Sequence, residues 1–562
     1  MLLARIRAHR HLLWPLLVLV VASVFFLYRL DLRKLEKSDE ALYAAAALEL
    51  VNGANPLFPR GQFSDYRRMG KPPGALWPPA LLIKVFGRSK VAVRLPTMLA
   101  GIAAIFLVYL IGAAIARHRA AGALAALLAL TPGLWLEMAR MFWLENTLTA
   151  LFLAAIWIDA RGRAAADPRR QLWLHGAAGA LIGYAILVKH AVGLAPLGAL
   201  LVAELVTNPA IAGQPRRLAR RFGPLLGGAL LVSGPWLAAF VADAGIGAPL
   251  AEIGKKLGPD THGPRSANDV WKMFLTLVEP WYLLAGLACL VALLLLIARR
   301  RRTGPGTPPP QPLAAMTAPD PAFLVVACAA LFASHLVVFC IVSDKLRGWY
   351  MLPVIPLLGL AIGTVVGGAA LRRLPRLGAL AFVVVLGGLS ASLDPSLPWQ
   401  TSLAVALGAL FLWIAVRRAV PLLLRNRPRW ESRVGRWLPS TLTALALVAL
   451  LGGGLKRSAQ FAWRDYPVDN FAYYAALWQR QPPARLVIDQ SNWERPLYMT
   501  PSVYYYFSPL PIAPHRLDLP CDISDLPPGE HVMLHITKYQ CVAPRVREVR
   551  ELGPWWRLVV LR

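Results

Sequence analysis

The run VRLPTMLAGIAAIFLVYLIGAAIARHRA, residues 93–120, is almost wholly apolar up to residue 115 and then closes on Arg117, His118 and Arg119. A helix rises 1.5 Å per residue, so a stretch of about 20 apolar residues crosses the ~30 Å hydrocarbon core of a bilayer. Lipid offers no partner to a backbone N–H or C=O, and a helix satisfies both within the segment. The rest of the chain repeats the pattern. Its 562 residues are 57% hydrophobic and 16% charged, with a mean hydropathy of +0.50, which fits a polytopic membrane protein rather than a soluble one.

About thirteen apolar windows emerge, near 12–28, 93–115, 120–138, 143–159, 173–188, 190–206, 222–242, 272–298, 322–342, 349–370, 377–394, 400–417 and 438–455. The first follows a basic MLLARIRAHR without a small-residue cleavage site and reads as a retained span. The net charge of +30 sits mostly in alternate connections, such as ARHRA at 116–120, PRRLARR at 215–221 and RNRPRWESRVGR at 425–436. That alternation is the positive-inside bias, so it places the N-terminus in the cytoplasm and argues for anionic lipid rather than nucleic acid as the basic residues' partner. An odd number of spans then sends the tail outside.

The expected fold is mainly α, with a small α/β outer domain. Residues 1–455 form a membrane domain that includes a long first outer loop, about 30–90, and residues 456–562 form the outer domain. Runs such as RLVID and HVMLHIT, between Pro and Gly breakers, are its strand signals. Within the first loop an apolar helix is expected at 40–52, and MGKPPGALWPPALLIKVFG is expected to be partly irregular, because Pro and Gly break regular helix. Of five cysteines, Cys289, Cys328 and Cys340 lie in apolar windows and read as packing residues, whereas Cys521 and Cys541 fall in the outer tail, where a bridge is permitted.

The chemistry-bearing residues cluster on the expected outer side. Asp39 and Glu40 head the stretch KSDEALYAAAALELV, 37–51. Taken alone, such acids cap a helix and complement its dipole, with Ser38 as cap. Company changes the reading: Lys71 stands in the same loop, Glu145 opens the window at 143–159, and Lys345 and Arg347 occupy a short outer turn where the inside bias disfavours basic residues. A carboxylate can deprotonate a hydroxyl nucleophile. Lysine and arginine can hold a phosphate and neutralise the charge that builds on it. Together they suit transfer of a sugar from a polyprenyl-phosphate carrier.

In order and spacing, Asp39-Glu40 with Tyr43, Lys71-Pro72-Pro73, Glu145 with Leu148-Thr149, Lys189 with Val192-Gly193-Leu194, Pro235-Trp236, and Lys345 with Tyr350-Met351-Leu352-Pro353 and Pro356 resemble the integral-membrane GT-C glycosyltransferases. The branch is that of the lipid A aminoarabinose transferases and protein O-mannosyltransferases. The resemblance implies an inverting transfer with Asp39 as leading catalytic carboxylate, Glu145 as the second acid and Glu40 beside them. It also implies carrier-phosphate binding by Lys71, with Lys345, Arg347, Tyr43 and Tyr350 as further candidates. A divalent cation is left open. The implied partners are a polyprenyl-phosphate-linked sugar and a lipid A, glycan or protein acceptor. Where the aminoarabinose transferases carry Arg two residues after the DE pair and often Glu before Lys-Pro-Pro, this chain has Leu42 and Gly70, which leaves the sugar open. Arg-, Ala- and Pro-rich usage points to a bacterium, hence an undecaprenyl carrier and the inner membrane. A transporter or lipid flippase is the rival class, but no internal repeat is visible, and His175, His190, Glu204 and His335 read as packing or interfacial residues rather than a relay.

Overall fold

The structure is a computed structural model and describes residues 2–31, 35, 39–59, 72–247, 319–337, 348–371, 455–456, 459–460, 486–489, 512–515, 526–535, 539, 542–551 and 556–562. Its helices in chain order are α1 (Leu2–Leu27), α2 (Asp39–Val51), α3 (Trp77–Phe86), α4 (Lys90–Ala116), α5 (Arg119–Ala129), α6 (Gly133–Ala139), α7 (Leu144–Arg163), α8 (Pro168–Lys189), α9 (Ala195–Thr207), α10 (Pro215–Ala244), α11 (Pro321–Leu336) and α12 (Ile355–Leu371). Five strands follow: β1 (Leu486–Asp489), β2 (Ile512–His515), β3 (His531–His535), β4 (Val546–Glu551) and β5 (Trp556–Leu561). The chain divides into two compact units. One comprises Met1–Tyr28, Thr97–Arg140 and Leu144–Trp463; the other comprises Arg29–Pro96, Met141–Trp143 and Arg464–Arg562.

In the first unit, small residues set the helix packing. Lipid tails are as apolar as Leu, so membrane helices associate through close backbone approach rather than through hydrophobic expulsion. Gly179 and Gly183 on α8 form a small-xxx-small pair that lies against the backbone of α10 at Leu225 and Ala229. Gly359 and Gly363 on α12 meet α5 at Ala129 and Ala125 in the same way. An added Cβ at any of the four would sit closer than 3 Å to those neighbours.

The order of the central helices follows from where the chain breaks. Positive φ at His190 (45°) ends α8, and the one-turn 3-10 segment His190–Leu194 carries the chain into α9. The far end of α9 (Glu204) returns to the ends of α7 (Arg163) and α10 (Arg221), so α8 and α9 run in opposite senses. The window expected at 120–138 is interrupted in the structure. Pro132 cannot continue a helix, and Thr131 Oγ1 instead donates to the Leu128 carbonyl at 2.7 Å, separating α5 from α6.

Among the described residues, α4, the α8–α9 run Pro168–Thr207 and α10 are long and apolar enough to cross a membrane. Shorter apolar helices lie at Leu12–Leu27, Arg119–Ala129, Pro321–Leu336 and Tyr350–Thr364. The expected windows at 272–298, 377–394 and 400–417, and that at 438–455 up to residue 454, lie outside the described residues.

The second unit contains α2, α3 and the sheet. α2 matches the helix expected at 40–52 and is buried from Glu40 to Glu49. Of the stretch expected to be partly irregular, 72–76 forms a turn and α3 takes up the remainder from Trp77. Pro78 and Pro79 occupy its first turn, where a missing N–H leaves no bond unmade and the fixed φ already suits a helix. The strand order is β2-β1-β3-β5-β4, with β2, β1 and β3 parallel and β3, β5 and β4 antiparallel. β1 and β3 fall on the RLVID and HVMLHIT runs. Val487, Val532, Leu534, Val546, Val559 and Leu561 build the core of the sheet, and Pro514 sits on the edge strand β2, where its absent N–H breaks no inner ladder.

Candidate active site

Asp39 and Glu40 begin α2, and because neighbours on a helix point about 100° apart they meet different surroundings. Glu40 turns inward and is 0% exposed. Arg94, near the start of α4, closes on it with Nε to Oε1 at 2.8 Å and Nη2 to Oε2 at 3.0 Å, while Arg94 Nη1 donates to the Leu30 carbonyl at 3.0 Å. The Phe142 backbone N–H also donates to Glu40 Oε1, at 2.9 Å. Both carboxylate oxygens of Glu40 are therefore engaged. Asp39 is only half-buried, and its Oδ2 accepts from the Tyr43 hydroxyl one helical turn on, at 3.2 Å. The Tyr43 ring packs edge-on against Phe142, with centroids 5.6 Å apart. Glu40 thus anchors the helix start, and Tyr43 orients the neighbouring carboxylate.

Glu145 and Tyr350 come together in the first unit through a residue outside the expected site set, Lys189. Glu145 opens α7 and is 2% exposed. Lys189 ends α8, and its Nζ hydrogen-bonds Glu145 Oε1 and stands 4.4 Å from the centroid of the Tyr350 ring. Glu145 Oε2 is buried with no hydrogen-bond partner among the described residues. Asn146 Nδ2 donates to the Ala139 carbonyl and pins the turn before α7. Lys71, Lys345 and Arg347 lie outside the described residues, as do Ser38, Cys521 and Cys541.

At the opposite end of the same helices stands a second charged cluster. Fourteen residues separate Glu145 from Asp159, about 21 Å along a helix. Asp159 is 0% exposed and is held by Arg221 Nη1 at 2.9 Å and His175 Nδ1 at 2.8 Å. Glu204 takes Arg221 Nε at 3.1 Å and pairs with Arg163. His175 and Glu204, read from sequence as packing or interfacial residues, are parts of one ion-pair network across α7, α8, α9 and α10. Among the described residues no three His, Cys, Asp or Glu side chains are grouped to hold a metal ion.

Residues 70–237 match the family model described as dolichyl-phosphate-mannose-protein mannosyltransferase. Along nearly its whole length the fold is similar to ArnT from Cupriavidus metallidurans. The ArnT structure bound to undecaprenyl phosphate superposes with a TM-score of 0.62 at 20% identity, over 98% of this chain and 97% of that one. The fold is that of the GT-C glycosyltransferases. The apo form of the same ArnT gives 0.60 at 21% identity over the same shares. The Archaeoglobus fulgidus oligosaccharyltransferase, tethered to an acceptor peptide, gives 0.50 at 12% identity, over 96% of this chain and 71% of that one. At these identities the structural likenesses speak for the fold alone, and the family match covers residues 70–237. No curated protein matches the chain at the sequence level. Of the residues that sequence reasoning left out of the site, Lys189 had a signal in its place before Val192-Gly193-Leu194. Arg94 had a fainter one, as the lone charge near the start of an otherwise apolar span.

Proposed function

We propose that this glycosyltransferase moves a sugar, with inversion, from a polyprenyl-phosphate donor to a cell-envelope acceptor on the outer face of the bacterial inner membrane. One observation carries the reading: Asp39 is the partly exposed member of an acid pair whose other member is fully engaged by Arg94 and the Phe142 amide. A carboxylate held in place on a buried anchor is what a general base needs. Asp39 takes the proton of the acceptor hydroxyl, the hydroxyl oxygen bonds to the sugar's anomeric carbon from the face opposite the phosphate, and the bond from that carbon to the phosphate oxygen breaks. Polyprenyl phosphate leaves with the electron pair. Lys71, Lys345 and Arg347 are assigned to the phosphate, and Lys189 joins them. Its ammonium is oriented by Glu145 and Tyr350 but keeps partial exposure, so it can neutralise charge on the leaving group. Glu40 is assigned an orienting role.

That ArnT is bound to undecaprenyl phosphate and that the matching family is named for a dolichyl-phosphate-linked mannose both support a lipid-phosphate donor. 4-Amino-4-deoxy-L-arabinose on a lipid A phosphate is one candidate pair, with the phosphate oxygen as nucleophile. Another sugar on an envelope glycan, glycolipid or protein hydroxyl is the other. Mass spectrometry of envelope lipids and glycans from cells with and without the protein identifies the pair through the residue that disappears; unchanged envelopes would contradict the reading. Asp39→Asn is expected to lower turnover by about 10²–10⁴ while the protein stays folded.

A further inference from the structure

We propose that His190, Trp236 and Phe240 form a sugar-ring subsite next to the Glu145–Lys189 pair, an inference that rests on the donor reading given above. Trp236 on α10 is 3% exposed, yet its indole Nε1–H is buried without a hydrogen-bond partner among the described residues. Leaving such a donor unmet carries its full desolvation penalty, so a site of this kind calls for an explanation. The Phe240 ring stacks on the indole with centroids 5.2 Å apart and planes at 9°, and the His190 ring stands 5.3 Å from the indole and 6.3 Å from Phe240. Ordinary packing would not require His190 to adopt φ 45° and ψ −131°, a region that side chains with a Cβ rarely occupy. Strain of this sort persists where the surroundings hold it in place, and it concentrates at ligand sites.

The position of the cluster ties it to the proposed reaction. α8 and α10 run side by side in the same sense. Fourteen residues separate His175 from Lys189 on α8, and fifteen separate Arg221 from Trp236 on α10. Since His175 and Arg221 meet at one end, at 3.3 Å, equal rises of about 21 and 22 Å bring Lys189 and Trp236 to the same level. His190 follows Lys189 directly in the chain. The unmet groups there are complementary in kind: among the described residues the indole finds no acceptor and Glu145 Oε2 no donor. An isoprenoid tail supplies neither. A sugar supplies both, through hydroxyls that donate and accept, and its C–H face packs on an aromatic ring. The site thus fits the glycosyl group of the donor, with its phosphate on Lys189.

The test measures affinity of the full-length protein in nanodiscs for undecaprenyl phosphate and for the same carrier bearing mannose or 4-amino-4-deoxy-arabinose. At least one sugar-bearing carrier is expected to bind ten-fold or more tightly than the bare carrier. Trp236→Phe, which keeps a ring but removes the N–H, should abolish that increment and leave bare-carrier affinity unchanged. His190→Gly should reduce the increment without lowering the thermal midpoint, because glycine tolerates the positive φ. An increment that survives Trp236→Phe overturns the subsite. So does an equal loss for bare and sugar-bearing carriers, which would make Trp236 part of the tail site or the bundle. Wild-type protein that binds all carriers alike overturns the subsite alone. Wild-type protein that binds no carrier overturns the donor reading, and the subsite with it.

Discussion

Arg94 grips Glu40 with two nitrogens, at 2.8 and 3.0 Å, and neither side chain is more than 1% exposed. Bidentate geometry gives the pair direction as well as attraction, and the Phe142 amide adds a third hydrogen bond to the Glu40 carboxylate. Removing one partner of a buried pair strands the other charge, at a cost of about 3–5 kcal/mol. Arg94→Met is therefore expected to lower the thermal midpoint sharply, whereas Arg94→Met combined with Glu40→Leu recovers part of it. Turnover separates the two roles: the double variant, even where folded, should be slow because Asp39 has lost its anchor. A folded double variant with wild-type turnover would show that Glu40 does not orient Asp39.

Lys189 sits over the Tyr350 ring as well as on Glu145, and the two contacts contribute differently. A cation over an aromatic face gains about 0.5–2 kcal/mol, which depends on the ring and not on the hydroxyl. Tyr350→Phe is expected to leave carrier affinity within about two-fold of wild type, whereas Tyr350→Leu should weaken it by roughly three- to thirty-fold, the same energy converted to affinity. Titration of each variant with undecaprenyl phosphate checks this. A Tyr350→Phe variant as weak as Tyr350→Leu would point to the hydroxyl instead of the ring.

What the sequence discloses of this protein depends on the range of the interaction. The span at 93–115, the loop helix at 40–52 and strands β1 and β3 are local patterns of hydrophobicity, and the structure places elements on them. The turn between α5 and α6 was also written locally, in Pro132, but a run of Ala and Leu masks one breaker when apolar length is the guide. Partnerships across the chain were not legible. Arg94 and Glu40 are 54 residues apart, and Lys189 and Glu145 are 44 apart. Sequence reading grouped acids and bases by the side of the membrane, which names candidates but not the partner that each one meets. Likewise, His175 and Glu204 looked isolated because it takes the reversal from α7 to α8 to bring His175 to Asp159 and the antiparallel return of α9 to bring Glu204 to Arg221.

The network at that far end leads to the third prediction. Arg221 is shared by two carboxylates, Asp159, which also meets His175, and Glu204, which also meets Arg163 and Asn208. Arg221→Met leaves both acids half-paired inside the helical unit. The expected result is a loss of about 3–5 kcal/mol, read as a drop in thermal midpoint, that neutralising Asp159 in the same chain partly reverses. Because Asp159 lies about 21 Å from Glu145 along α7, affinity for the carrier in the folded fraction should be unchanged. A midpoint unaffected by Arg221→Met would mean that the network contributes nothing to stability.

The sheet gives a pH dependence whose sign can be worked out. His531, the first residue of β3, is partly buried, and that desolvation holds its imidazole below the ordinary histidine value; Arg547 adds to the effect, while Glu530, Glu548 and a hydrogen bond with the Gly529 backbone oppose it. A lowered value means that the unfolded chain takes up the proton first as pH falls. Stability from the neutral ring is therefore fully present above about pH 6.5, the unfolded value, and is lost as the pH drops through the lower folded value. His531 pairs across the ladder with Val560 on β5 and Leu486 on β1, so the loss should appear in those strands. Hydrogen exchange of the intact protein, corrected for intrinsic rates, is expected to show weaker protection of β3 and β5 at pH 5 than at pH 7.5, and His531→Gln should flatten the difference. Protection that rises on acidification, or a difference that persists in His531→Gln, would assign the dependence to another group.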